Sequence, residues 1–135
     1  MDTSSIQEEM RVLCQTKKWR ELMDLLDSGY KGMYVILRIL KESEKAVVPG
    51  ELARRMNVST ARIARALKTL EKKNYIRRES EKNDARKVIV LLTHDGEKAL
   101  EERKAIVGAM IESLLKNLTE EETRTGFRLL KKILQ

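Results

Sequence analysis

A chain of 135 residues with 36% charged and only 4% aromatic residues suits one compact domain, or a small domain with an oligomerisation arm, with a mostly aliphatic core. One cysteine excludes an internal disulfide framework and fits a reducing compartment, and one cysteine with one histidine excludes a four-ligand zinc site within the chain. The net charge is +7, and the stretch from Gly50 to His94 accounts for all of it, with twelve Lys and Arg against five Asp and Glu; the other residues carry sixteen of each sign. A neutral frame with one basic block points to a polyanionic partner, because each cation placed on a phosphate releases condensed counterions.

The N-terminus, MDTSSIQEEM, is acidic and polar, unlike a signal peptide. No apolar run reaches membrane-spanning length, so the expectation is a cytoplasmic protein without a membrane partner. Ser5 with Glu8 has the spacing of a capping box. A helix follows with Ile6, Met10 and Leu13 on one stripe, then Leu22, Met23, Leu25 and Leu26; its phase is muddied at Lys17-Lys18, which allows two shorter helices. Asp27-Ser28-Gly29 is read as the break. A second helix over about 32–44 is apolar enough to be a core helix, and 46–48 has room only for a small edge strand.

Pro49 and Glu51 suit the first turn of a short helix ending near Met56. After Asn57-Val58, Ser59 is a good N-cap for TARIARALKTLEKK, and Asn74 can take the left-handed conformation that ends it. In this longer helix Ile63, Ala66, Leu67 and Leu70 form the inward stripe, while Arg62, Arg65, Thr69 and Lys72 share another face. Tyr75 to Arg78 and Val88 to Leu92 then read as strands of a hairpin, with ESEKNDARK as a long charged tip. Thr93 caps a helix of about 94–117, and Thr119 with Glu122 opens a last one to about Leu134. The breadth of apolar surface on these two helices calls for a second copy of the chain to cover it.

Short helix, turn, longer helix, hairpin and long capped helix, in this order, resemble a MarR-family winged-helix transcriptional regulator. The residues that carry the resemblance are ELARRMNVSTARIARALKTLEKKNYIRR and DARKVIVLLTHDG, about residues 49–96. The family's wing signature (Asp, any residue, Arg, a β run, then Leu-Thr-x-x-Gly) is met by Asp84, Arg86, Val88-Ile89-Val90, Leu92-Thr93 and Gly96. Many members have a second Arg directly after the Asp, where this chain has Ala85. The resemblance implies a mainly α fold with a small β-hairpin wing: residues 1–30 an N-terminal dimerisation segment, 31–96 a winged helix-turn-helix, and 97–135 C-terminal dimerisation helices.

It also implies a homodimeric, sequence-specific DNA-binding regulator, a repressor of transcription released by a small-molecule effector. A helix fits the major groove and its first turns reach base edges, which assigns Thr60, Ala61, Arg62 and Arg65 to bases and Lys68, Thr69 and Lys72 to phosphates. The wing would supply Lys82, Asp84 and Arg86, with Arg86 entering the minor groove, where a narrow groove has enhanced negative potential, and Asp84 orienting it. Asp84 and Arg86 could equally form a hairpin-stabilising ion pair worth about 0–1 kcal/mol. Two recognition helices about 34 Å apart would read a pseudo-palindromic operator in double-stranded DNA.

Blander readings stand beside these. A charge run is often only a solvated face. Trp19, Tyr30, Met33 and Tyr34 are the candidates for an effector pocket, but apolar residues at helical spacing are more often core. Cys14 lies near cations in the first helix, where some members of the family sense peroxide, but beside Leu13 it reads as a small buried hydrophobe. His94 stands alone at the junction of hairpin and long helix. No nucleophile–base pair, phosphate loop or carboxylate constellation suggests an enzyme or a bound cofactor. The competing function is a winged-helix protein-interaction adaptor that does not read DNA.

Overall fold

The computed structural model describes residues 2–28 and 32–135, with the backbone alone for residues 26–28. The described elements are α1 (Thr3–Cys14), α2 (Lys17–Ser28), α3 (Met33–Glu42), α4 (Pro49–Met56), α5 (Thr60–Lys72), β1 (Ile76–Glu81), β2 (Asp84–Leu92), α6 (His94–Leu115) and α7 (Glu120–Leu134). They group into two units, one of residues 26–104 and one of residues up to 25 together with 105–135.

The first unit holds the core. Ile36 and Leu37 of α3, Leu52 of α4, Ile63, Leu67 and Leu70 of α5, Ile76 of β1 and Val90 of β2 are all fully buried. Each such side chain contributes roughly 1.5–3 kcal/mol of transfer free energy, so these eight fix how the elements pack. The expected edge strand is a single bridge: Val47 pairs with Val90, whose N–H donates to the Val47 carbonyl at 2.8 Å. Lys41 on α3 pairs with Glu97 in the first turn of α6. This hydrogen-bonded lysine holds the Glu97 carboxyl below its usual range, and the lysine is raised in turn.

The other unit is built differently. α1 starts one turn earlier than the Ser5–Glu8 spacing suggests. Asp2 is the N-cap, its carboxylate accepting from the Ser5 N–H at 2.9 Å, and Glu8 instead pairs with Arg11, which lowers the Glu8 pKa. A carboxylate ahead of the helix is a stronger acceptor for the free N–H groups than the later serine. Thr16 separates α1 from α2. Its hydroxyl donates to the Leu13 carbonyl at 2.8 Å and accepts from the Trp19 N–H at 3.2 Å, closing one helix and opening the next. α2 continues through Asp27 and Ser28, where the sequence suggested a break; Gly29 lies outside the described residues. In α7 the capping box is complete, with Thr119 and Glu122 each accepting from the other's backbone N–H.

No described residue of this unit is buried. Ile6, Met10, Val12 and Leu13 on α1, Ile106 and Ile111 on α6, and Phe127, Leu130, Ile133 and Leu134 on α7 are all exposed. Cys14 is exposed as well, which corrects the reading of it as a buried hydrophobe: Ile6, Met10 and Leu13 on the same helix are exposed with it. No described helix is long and apolar enough to cross a membrane.

Candidate nucleic-acid interface

The basic block folds as α4, α5 and the β1–β2 hairpin, all within residues 26–104. Asn57 makes the turn between the two helices in the left-handed conformation, at φ 52°, where asparagine is tolerated far better than a β-branched residue. The next helix begins at once: the Ser59 hydroxyl accepts from the Arg62 N–H at 3.1 Å. This cap sets the phase of α5. With Ile63, Leu67 and Leu70 held in the core, Thr60, Ala61, Arg62, Ala64, Arg65, Lys68 and Lys72 are exposed.

The candidate base-edge residues therefore sit together in the first two turns, and Lys68 and Lys72 lie further along. Thr69 differs from its neighbours. It is half-buried and its hydroxyl donates to the Arg65 carbonyl at 3.2 Å, so its proton is already engaged. Three exposed positions escaped the sequence candidates. Ala64 lies in the first turns of α5, and Arg54 and Arg55 form the last turn of α4. Arg54 and Arg55 were legible as cations just before a turn, whereas a small alanine carries no signal of its own.

The hairpin is mostly strand. β1 runs to Glu81 and β2 starts at Asp84, so the turn is only Lys82-Asn83 and most of the charged segment is ladder. Alternation could not reveal this, because an arm exposed on both faces has no apolar side to alternate with. The ladder is irregular near its end. Ser80 pairs with Val88 but Glu81 pairs with Asp84, which leaves Ala85, Arg86 and Lys87 of β2 without partners in the backbone register. Such an insertion bends a strand and re-aims its side chains, and Arg86 is its central residue. Asp84 orients this stretch through the main chain: its carboxylate accepts from the Arg86 N–H at 3.0 Å.

The cations also divide by partner. Arg77 pairs with Glu79, Arg78 with Glu71 of α5, and Lys87 with Glu81. Among the described residues the side chains of Arg65, Lys68, Lys72, Lys82 and Arg86 have no such carboxylate. Pairs at this exposure are worth little to stability, so their effect is chiefly to neutralise the sides of the hairpin while its tip and the outer face of α5 stay positive.

The remaining candidates belong to different units. Met33 is buried in the core beside the other α3 residues, Tyr34 is half-buried with the Arg103 guanidinium 5.0 Å over its ring, and Tyr30 lies outside the described residues. Trp19 is a half-buried residue of the other unit. No cluster of metal-ligating side chains occurs among the described residues.

Comparison with known proteins gives one consistent family. The sequence model of the MarR family matches residues 32–88. The transcriptional repressor YetL of Bacillus subtilis is 27% identical over 90% of this chain and 75% of its own length. The multiple antibiotic resistance protein MarR of Escherichia coli is 36% identical over 65% of this chain and 62% of its own. The crystal structure of Bacillus subtilis YusO superposes with a TM-score of 0.79 at 28% identity, covering 98% of this chain and 94% of that one. A cysteine-to-serine variant of Escherichia coli MarR, crystallised with operator DNA, superposes at 0.63 with 29% identity, over 95% and 93% of the two chains.

Proposed function

From the premise that this chain belongs to the MarR family of winged-helix transcriptional regulators, we propose that it binds double-stranded DNA sequence-specifically as a homodimer and represses transcription. The observation that carries the proposal is the division of the basic block. α5 buries one face in the core and keeps Arg65, Lys68 and Lys72 uncompensated on the other, while the hairpin neutralises its sides and leaves Lys82 and Arg86 positive at its tip. Thr60, Ala61, Arg62 and Arg65 would read base edges in the major groove, Lys68 and Lys72 would hold phosphates, and Arg86 would enter the minor groove. Thr69 would reach a phosphate only by releasing the Arg65 carbonyl. That a MarR structure contains operator DNA supports the reading. A small molecule that releases the DNA belongs to the same proposal.

The test is selection of genomic fragments by the purified protein, followed by binding isotherms at several salt concentrations. A bound, two-fold pseudo-symmetric site with steep salt dependence is the expected result. Absence of duplex binding at low salt overturns the proposal and leaves the adaptor reading.

The dimer has its own argument. No described residue of this unit is buried and the apolar side chains Ile6, Met10, Leu13, Phe127, Leu130 and Ile133 stay exposed, so little of the apolar burial that would offset the ordering of its backbone comes from within the unit. A second copy placing its α1 and α7 against these stripes would supply the missing core. Sedimentation is expected to show a dimer down to micromolar concentration, and removal of residues 119–135 to cause unfolding or aggregation. A fully folded monomer in that range contradicts the dimer.

Cys14 gives a separate expectation. Its thiol is exposed, but no described feature marks it as more than a member of the α1 stripe. Cys14→Ser should leave operator affinity in reducing buffer within about twofold, a change well under the 1.4 kcal/mol of a tenfold effect. Peroxide that abolishes binding of the parent but not of Cys14→Ser would make Cys14 a sensor.

A further inference from the structure

The hairpin and the recognition helix meet at one small joint. Asn74, at φ 61°, ends α5, and the Tyr75 N–H donates back to the Leu70 carbonyl at 3.0 Å. The chain enters β1 at Ile76 and returns from β2 at Leu92, so Thr93 arrives beside Asn74. There the Thr93 hydroxyl donates to the Asn74 carbonyl at 2.6 Å and accepts from the Gly96 N–H at 3.0 Å. The Thr93 N–H donates to the Tyr75 carbonyl at 3.1 Å, and the Asn74 side-chain amide donates to the Asp95 carboxylate at 2.9 Å. The end of α5, both roots of the hairpin and the start of α6 are thus bonded to one another through Asn74, Tyr75, Thr93, Asp95 and Gly96.

We propose that Thr93, Asn74 and Asp95 are positioning residues that set the direction of the wing relative to the recognition helix, and so decide whether Arg86 reaches the minor groove. The inference rests on the DNA-binding reading above. Its physical basis is leverage. From Ile76 to Glu81 the arm is about 20 Å long at roughly 3.3 Å per residue, so a tilt of about 10° at the root moves the tip by about 3 Å. That exceeds the tolerance of a hydrogen bond or a groove contact. Two further anchors lie near the root: the Val47–Val90 bridge holds β2 two residues before its end, and Arg78 of β1 pairs with Glu71 of α5 at 2.8 Å. That ion pair is partly exposed and worth little, so on the α5 side the direction of the arm rests chiefly on the joint. α5 itself is held by Ile63, Leu67 and Leu70 in the core and does not depend on the joint for its place.

A side chain that merely capped α6 would affect stability and leave base preference alone. A positioning role instead makes its loss indistinguishable from the loss of Arg86. The experiment compares Thr93→Val, Asn74→Gly, Arg86→Ala and the double variant Thr93→Val with Arg86→Ala on operators whose outer flank is either A·T-rich or G·C-rich. Asn74→Gly keeps the left-handed conformation and removes only the side-chain bond, so it remains informative if Thr93→Val fails to fold. Thr93→Val and Asn74→Gly are expected to lose roughly tenfold on the A·T-rich operator and little on the G·C-rich one, with preference at the recognition-helix bases retained. Adding Arg86→Ala to Thr93→Val should cost nothing more, and Thr93→Ser, which keeps the hydroxyl, should restore the parent's flank preference. Additive losses, or a uniform loss on both flanks, overturn the positioning role while leaving DNA binding intact. A parent protein that binds no duplex removes the DNA reading itself, and this inference with it.

Discussion

Alanine at Arg62 or Arg65 is expected to cost roughly 1–3 kcal/mol on the best operator and to relax preference at particular base pairs. Both residues lie in the first two turns of a helix whose phase is fixed by the Ser59 cap and by Ile63 and Leu67 in the core. A guanidinium held there can bond bidentately to a guanine edge, and its removal leaves the other contacts in register. Lys72→Ala should behave differently. It lies in the last turn of α5 and would meet phosphate, so all sequences should weaken alike and the salt slope should become shallower by about one. Arg86→Ala should weaken binding according to the A·T content of the outer flank, because a minor-groove arginine senses width and potential more than base identity. Arg78→Ala supplies the contrast. Its guanidinium is paired with Glu71 at 2.8 Å, so a phosphate would have to compete with a carboxylate already in place, and the salt slope should change by less than for Lys72. Isotherms on matched and single-substituted operators at four salt concentrations separate these outcomes. Equal losses for all of these variants on every sequence would reduce the block to an unspecific phosphate patch.

What could be read in the sequence was what local chemistry determines. Pro49, Ser59, Asn74 and Thr119 mark their helix ends in the structure as their side chains and backbone preferences dictate. The inward stripe of α5 follows from spacing alone, and the face carrying Arg62 and Arg65 follows from it. The hairpin was legible as a hairpin but not in its proportions. Its outer half has no buried face, so neither periodicity nor composition separates strand from loop, and the irregular pairing that isolates Arg86 is invisible without backbone coordinates. The joint at Thr93 was half legible. Its capping role is local, but the bond to Asn74 spans 19 residues and exists only because β1 and β2 return the chain to its starting point. The exposure of Cys14 was missed for a related reason. An apolar stripe says that a helix face seeks cover, and not whether the cover comes from the same chain.

Gly96→Ala is expected to destabilise the unit of residues 26–104 by about 3 kcal/mol, the upper end for forcing one methyl into packed surroundings. A Cβ at this position would stand 2.1 Å from the Tyr75 carbonyl oxygen and 2.7 Å from Leu92 Cδ1. The first contact is with backbone, which cannot turn aside as a flexible side chain can. Relief would require moving the start of α6 away from the root of the hairpin. That movement would stretch the Thr93 N–H bond to the same Tyr75 carbonyl and the Gly96 N–H bond to the Thr93 hydroxyl. The glycine of the Leu-Thr-x-x-Gly motif is thus required by close approach, at a backbone angle other residues could adopt. Gly50 provides the comparison. It lies in the first turn of α4, is exposed, and an added Cβ there would meet nothing within 4 Å. Gly50→Ala should therefore be neutral or stabilise by up to about 1 kcal/mol, through the reduced freedom of the unfolded chain. Thermal or urea unfolding of the two variants beside the parent measures both. A Gly96→Ala protein as stable as Gly50→Ala would mean that α6 is not held against the hairpin root as closely as the bonds around Thr93 require.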